Sequence, residues 1–222
     1  MLRWVALSLG LLAWSVPALA CVPPVAQALY RIEHETFGHI GRQVLTFRCD
    51  GDQLVVDTTV NVAVRVLSFT IYRYEAHYRG VWDGDRLARF ESHTDDNGKI
   101  EEVLARAAGE RVIIDGPKGQ SQAPLSVVPN HPWNLEVIDH TVLFDPVDGR
   151  VLQVDATDAG DEPIDADGHR IMARKYFVSG DVQLELWYDE SGMWVKSRME
   201  HEQGAVTITR ELPHRMAAAG LG

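Results

Sequence analysis

Residues 57–66 read Asp57-Thr58-Thr59-Val60-Asn61-Val62-Ala63-Val64-Arg65-Val66. Successive side chains of an extended chain point to opposite sides, so Thr58, Val60, Val62, Val64 and Val66 share one face and Asp57, Thr59, Asn61 and Arg65 the other. A β-branched apolar face backed by a polar one is a strand of an antiparallel sheet, buried on one side and wet on the other. A helix would repeat its apolar stripe every 3.6 residues instead.

Working outward, the same alternation recurs between closely spaced turn signals. Strands are predicted over 30–33, 43–48, 69–82, 87–93, 100–106 and 111–114, with turns at Gly38-His39-Ile40-Gly41, Asp50-Gly51, Asp83-Gly84, Asp96-Asn97-Gly98 and Gly109. Asp83-Gly84 has the composition of a type I′ hairpin. An irregular stretch opens at Gly116-Pro117-Lys118-Gly119 and runs to Pro129. The meander then resumes over 141–144 and 151–156, with a turn at Asp148-Gly149. After a turn-rich acidic segment, 158–168, strands follow over 169–178, 182–188, 193–201 and 205–212. The pattern predicts an all-β fold, an antiparallel meander forming one strongly curved sheet or a half-closed β-barrel.

Alternation breaks at Pro129-Asn130-His131-Pro132-Trp133-Asn134 and the following Leu135-Glu136-Val137-Ile138-Asp139-His140. Two prolines bracket Asn130-His131. Pro132 suits the first position of a short helix capped by Asn130 or His131, and Trp133 brings a large apolar ring with an N–H to satisfy. A short helix or turn near 130–140, plugging one end of the sheet, is expected.

Residues 1–20 start with basic Arg3, continue through an apolar run and end in Ala18-Leu19-Ala20, the pattern of a secretory signal peptide. No later stretch is continuously apolar over the ~20 residues of a spanning helix, so the chain is expected to be exported, periplasmic and not transmembrane. Removing 1–20 leaves 20 of the 21 basic residues and all 32 acidic ones, moving the net charge from −11 to −12. That charge argues against nucleic acid and anionic membrane surfaces as partners. The expected organisation is an N-terminal segment at 21–27, one β domain over 28–213 and a flexible tail at 214–222. Cys21 and Cys49 are the only cysteines. A disulfide between them would staple the N-terminal segment to the second strand. The alternative is a lipid anchor at Cys21.

Residues 30–41, the Trp133-Asn134 pair, residues 145–149, and Leu186-Trp187-Tyr188-Asp189 followed by Gly192-Met193-Trp194-Val195 resemble an uncharacterised domain-of-unknown-function family, of the 6134 type, of secreted Gram-negative bacterial β-proteins. The resemblance spans nearly all of the mature chain. It implies a curved, half-closed β-barrel broadly similar to periplasmic lipoprotein-carrier folds, and it carries over no activity and no catalytic residue. Cys49 is not part of it.

Motifs for chemistry are sparse. Gly119-Gln120-Ser121-Gln122-Ala123 approximates a nucleophile elbow, but Pro117 and Pro124 frame it as a loop rather than a strand entering a helix. His34-Glu35 and His39 lack the helical spacing of a zinc protease. The acidic run from Asp155 to Asp167 has Pro163 where a calcium loop needs a carboxylate. No metal, cofactor or catalytic residue is expected. The aromatic set Trp82, Trp133, Trp187, Tyr188 and Trp194 exceeds what turns require, and an incompletely closed sheet leaves an apolar concavity. The leading expectation is a non-enzymatic envelope protein binding a lipid, another hydrophobic ligand or a segment of an envelope protein, with His131, Trp133, Asn134, Trp187 and Tyr188 as candidate ligand-binding residues. The alternatives are a hydrolase using His131 or His140 with Asp139, and a structural or assembly module.

Overall fold

A computed structural model of the protein describes residues 21–212. The expected signal peptide and the C-terminal tail lie outside the described residues. Fifteen strands form a single sheet. They are β1 Gln27–His34, β2 Gly38–Asp50, β3 Gln53–Val66, β4 Phe69–Asp83, β5 Arg86–Asp96, β6 Lys99–Ala108, β7 Arg111–Gly116, β8 Gly119–Pro124, β9 Val128–Pro129, β10 Val142–Phe144, β11 Val151–Ala166, β12 His169–Gly180, β13 Leu184–Tyr188, β14 Trp194–Met199 and β15 Val206–Glu211. The spatial order is β8 to β1 in reverse sequence, then β15 to β9 in reverse. Neighbours pair antiparallel, as the meander predicts, except β9 and β10, which run parallel. The sheet curls into an unclosed barrel. No helix among the described residues is long and apolar enough to cross a membrane.

The concave face carries the alternating apolar residues. Trp194 stacks on Tyr30 at 4.2 Å, and the Tyr30 hydroxyl donates to the Trp194 carbonyl at 2.9 Å. Phe90 meets Phe144 edge-on at 5.2 Å. A smaller apolar cluster of Ile164, Ala166, Ala173, Trp187 and Val195 lies apart from this core. The outer end of the β11–β12 hairpin carries its first three members. The hairpin turn at Asp167 is latched by Arg210, whose Nη2 donates to Asp167 Oδ2 at 2.7 Å and to Asp189 Oδ2 at 2.8 Å. A disulfide joins Cys21 to Cys49, with the Cα atoms 5.8 Å apart.

Five local expectations differ from the structure. Gly38-His39-Ile40-Gly41 is not a turn: the chain turns at 35–37, where the Thr36 amide donates to His34 Nδ1 at 3.0 Å, and β2 already starts at left-handed Gly38 (φ 67°). The acidic segment 158–168 is not a loop: β11 runs through it to Ala166, bulged at Asp158/Gly160, and only Asp167-Gly168 turns. Ile164 and Ala166 anchor it by packing into the outer cluster, so acidic residues occupy the wet positions of a genuine strand. The stretch after Gly116 is not irregular either. Gly116 pairs with Gly119 around Pro117-Lys118, and β8 continues to Pro124 at the sheet edge, where a missing N–H costs no ladder bond. Asp83-Gly84 is not a type I′ turn, because only Gly84 (φ 62°), and not Asp85, is left-handed. Finally, Pro132 does not start the helix. A 3₁₀ turn spans Leu135–Asp139 with extended Asn134 before it, because 129–133 are held in two three-residue turns, His131 N–H to Pro129 O and Trp133 N–H to His131 O.

The open edge is sealed from inside by residues 145–150. The Asp145 carboxylate accepts the Val147 and Asp148 amides at 2.7 and 3.2 Å, and Ser92 Oγ donates to Pro146 O at 2.6 Å. This loop presses Asp148 O so close to β7 that a Cβ on Gly116 would lie 2.7 Å from it. Only glycine permits that approach.

Candidate functional site

Two regions gather polar groups. The first is the plug, residues 128–144, which enters the concave face. It is tied to the β13–β14 turn by Leu135 N–H to Gly192 O at 2.8 Å and by the Asn134–Met193 bridge. Trp133 lies buried between Phe47 and Trp82, edge-on to each at 5.6 and 5.7 Å. His131 points its Nε2 at the Gln43 amide (3.1 Å) and the Thr58 hydroxyl (3.5 Å), beside the Tyr78 ring. Burial with no carboxylate partner pushes its pKa down to about 4, so the ring is neutral. A base that weak is a poor proton acceptor at neutral pH.

The plug fills the concavity. The two voids flanking it hold about 10 Å³ each, room for no more than a water molecule. Around it the Trp82 and Trp194 Nε1 groups and the Tyr188 hydroxyl make no hydrogen bond within the protein. Burial raises the pKa of the Tyr78 and Tyr188 hydroxyls well above the usual phenol range.

The second region is a trough of about 910 Å³ crossing the opposite, outer face of β4 to β7. Strand register builds it in rows. Thr59, His77, His93 and Glu102 stand side by side on β3 to β6, and Asp57, Arg79, Glu91, Leu104 and Asp115 form the next row, through β7. His93 Nδ1 lies 3.0 Å from Glu102 Oε1, and Arg79 Nε donates to Asp57 Oδ1 at 2.6 Å. Ile100 and Leu104 are 53 % and 39 % exposed here, flanking Glu102 on the outer face of β6. Among the described residues, no group of three or more His, Cys, Asp or Glu is arranged to hold a metal ion.

The profile of the domain of unknown function DUF6134 matches residues 30–211, from β1 through β15. The chain belongs to the DUF6134 family. Plug and trough therefore both lie within the DUF6134 domain. A crystal structure of a beta-barrel-like protein of domain of unknown function DUF1849 from Brucella abortus superimposes on it with a TM-score of 0.60 at 14 % identity, covering 86 % of this chain and 96 % of the other. At that identity the likeness is one of fold. No curated protein matches the chain.

Within the DUF6134 domain, the residues singled out from sequence do not converge on one place. His131 and Trp133 enter the concave face, and Tyr188 lines it against Tyr176. Asn134 turns its amide to the Glu136 carboxylate at 3.0 Å. Trp187 faces the other way, because adjacent strand residues alternate. Its Nε1 donates to Glu162 at 2.6 Å, and the Lys175 and Lys196 ammonium groups each sit 4.7 Å from its ring centre. Asp139 is exposed, while the partners of His131 are an amide and a hydroxyl. The trough escaped sequence reasoning, because His77, His93 and Glu102 look like ordinary wet-face residues until register aligns them. One signal existed. Lys99-Ile100-Glu101-Glu102-Val103-Leu104 puts apolar side chains on both faces of β6, so Ile100 and Leu104 fall on the side that elsewhere is polar.

Proposed function

We propose that this DUF6134 domain is a non-enzymatic binding module of the bacterial envelope, and that the outer trough seats an extended partner segment. One contrast carries the reading: the trough offers about 910 Å³, whereas the barrel interior offers two voids of about 10 Å³. A hydrophobic ligand inside the barrel would need the plug to leave. The trough is open as it stands.

The β6 face defines the partner chemistry. Ile100, Glu102 and Leu104 project at two-residue intervals, roughly 7 Å apart. An extended segment laid along them meets apolar, acidic and apolar positions in turn. Asp115 adds negative charge beside that line, whereas Glu91 is paired with Arg89. The complementary segment has a basic residue flanked at the same spacing by apolar ones, and the net charge of −11 favours its approach.

The non-enzymatic assignment rests on the floor of the trough. Strands β4 to β7 pair with their neighbours along it, so their N–H groups are engaged in the ladder rather than aimed at a developing oxyanion. Export is supported by residues 1–20 and by the Cys21–Cys49 disulfide, which occupies the sulfur that lipidation would need.

Fluorescence anisotropy with a labelled peptide of pattern Leu-Thr-Lys-Thr-Leu, and with a second carrying Glu for Lys, tests the reading. The Lys peptide should bind saturably, Glu102→Lys should weaken it at least tenfold, and that variant should gain affinity for the Glu peptide. An unsaturable Lys peptide with no charge-swap effect overturns the proposal.

A further inference from the structure

The β3–β4 hairpin is longer than its neighbours. Pairing of β2 with β3 stops at Gly41–Val62, and pairing of β4 with β5 stops at Tyr74–Asp96. The Arg73 carbonyl still accepts the Asn97 amide at 2.8 Å, and Val64 and Tyr72 pack on the core, so residues 65–71 project as a two-stranded finger, roughly 7 Å beyond that last supported pair at the usual rise per residue. Its tip is apolar and bare. Leu67 is 93 % exposed and Phe69 73 %, with Val66 and Ile71 also exposed. Val66 and Phe69 are cross-strand partners and so share a face.

Leu67 occupies the turn with φ 57°, a left-handed conformation unfavourable for a leucine, and its side chain gains no burial in return. A glycine or asparagine would turn the chain without strain.

Charge separates the finger from the rest of the molecule. No carboxylate occurs between Asp57 and Glu75, and Arg65 stands beside the tip, whereas Arg73 at the base is paired with Glu75 at 2.7 Å. The rest of this net −11 chain is acidic. The charge screening length is about 8 Å at physiological ionic strength, so a surface met by the tip feels Arg65 beside it more than carboxylates farther back on the body.

We infer that the β3–β4 finger docks the protein peripherally on an anionic lipid bilayer. Val66, Leu67, Phe69 and Ile71 enter the headgroup–acyl boundary, and Arg65 meets a lipid phosphate. A convex apolar tip with a basic flank suits a deformable surface that closes around it. Insertion stays shallow, because the lateral edges of the finger carry unpaired backbone groups that the hydrocarbon core would not satisfy. This docking is independent of the trough and leaves it free.

Flotation of the purified mature protein with vesicles of phosphatidylcholine containing 30 mol% phosphatidylglycerol, against pure phosphatidylcholine, tests the inference. Wild type should float with the anionic vesicles, less so at high salt. Leu67→Asn/Phe69→Ser should lose at least tenfold in bound fraction with an unchanged or slightly raised Tm, since Asn relieves the strained turn. Arg65→Glu should lose the preference for phosphatidylglycerol. The inference is overturned if wild type floats with neither composition, or if the double variant floats equally well. It is also overturned if sedimentation shows a wild-type dimer that the double variant abolishes and vesicles do not compete with, which would make a second copy the occupant.

Discussion

The indole of Trp133 meets that of Trp82 edge to face at 5.7 Å, and with the His131–Tyr78 pair at 6.0 Å it makes two aromatic contacts between the plug and β4. Phe47 closes on the other side of the Trp133 ring. Truncating Trp133→Ala removes a buried ring from a site that the rigid sheet cannot collapse to fill. The expected cost is about 3–5 kcal/mol, out of a total stability on the order of 5–15 kcal/mol. Urea curves of both proteins at equal slope measure it. A loss below about 1 kcal/mol would make Trp133 the lining of an opening rather than a structural plug.

His131 makes stability fall on acidification. Its folded pKa of about 4 lies below the unfolded value of about 6.5, so the unfolded chain takes up the proton first. The neutral ring's contribution is intact above pH 6.5, declines as the pH drops through that value and is gone below pH 4. The full effect is roughly 3 kcal/mol. The measurement is the difference in unfolding free energy between wild type and His131→Gln from pH 7 to 4. The gap should narrow or reverse as the pH falls. A constant gap would mean that His131 does not titrate differently in the two states.

Arg210 holds two carboxylates that leave little surface to water, those of Asp167 and Asp189. Its Asp189 partner is held below the usual carboxylate range: burial opposes the charge, but hydrogen bonds from Ser191 and Arg210 outweigh it. Arg210→Met strands both acids and should cost about 3–5 kcal/mol at neutral pH. The loss should shrink at low pH as Asp189 protonates, and Asp167→Asn in the same background should recover part of it. Hydrogen exchange should rise first in the β11–β12 hairpin tip. Protection there equal to wild type would mean that the outer apolar cluster alone holds the hairpin.

Gly116 allows the 145–150 loop to seal the open edge. Gly116→Ala places a Cβ against Asp148 O, where backbone must shift, and should destabilise by about 1–3 kcal/mol. Exchange should accelerate at the Val147 to Gly149 amides while β1 to β4 stay protected. An unchanged melting temperature would show that the seal closes without this contact.

Alternation around Val60, the Asn97-Gly98 turn and the spacing of Gly and Asp residues were enough to read an all-β antiparallel meander from sequence. Side-chain parity and turn conformation are local properties of the chain. The break at Pro129 to His140 likewise located the plug, because prolines and a lone Trp do not fit a strand pattern. Other features needed contacts between residues far apart. β11 is a strand because Ile164 and Ala166 find Trp187 on another hairpin, a contact invisible among the acids of 158–168. Trp187 and Tyr188, adjacent in sequence, serve opposite faces, and only the direction of curvature decides which of them is inside. His77, His93 and Glu102 become neighbours through register across three strands, and the β3–β4 finger exists only because β2 and β5 stop short. Parity is written residue by residue, whereas register, strand length relative to neighbours and the sign of curvature are set by the pairing and packing of the whole sheet.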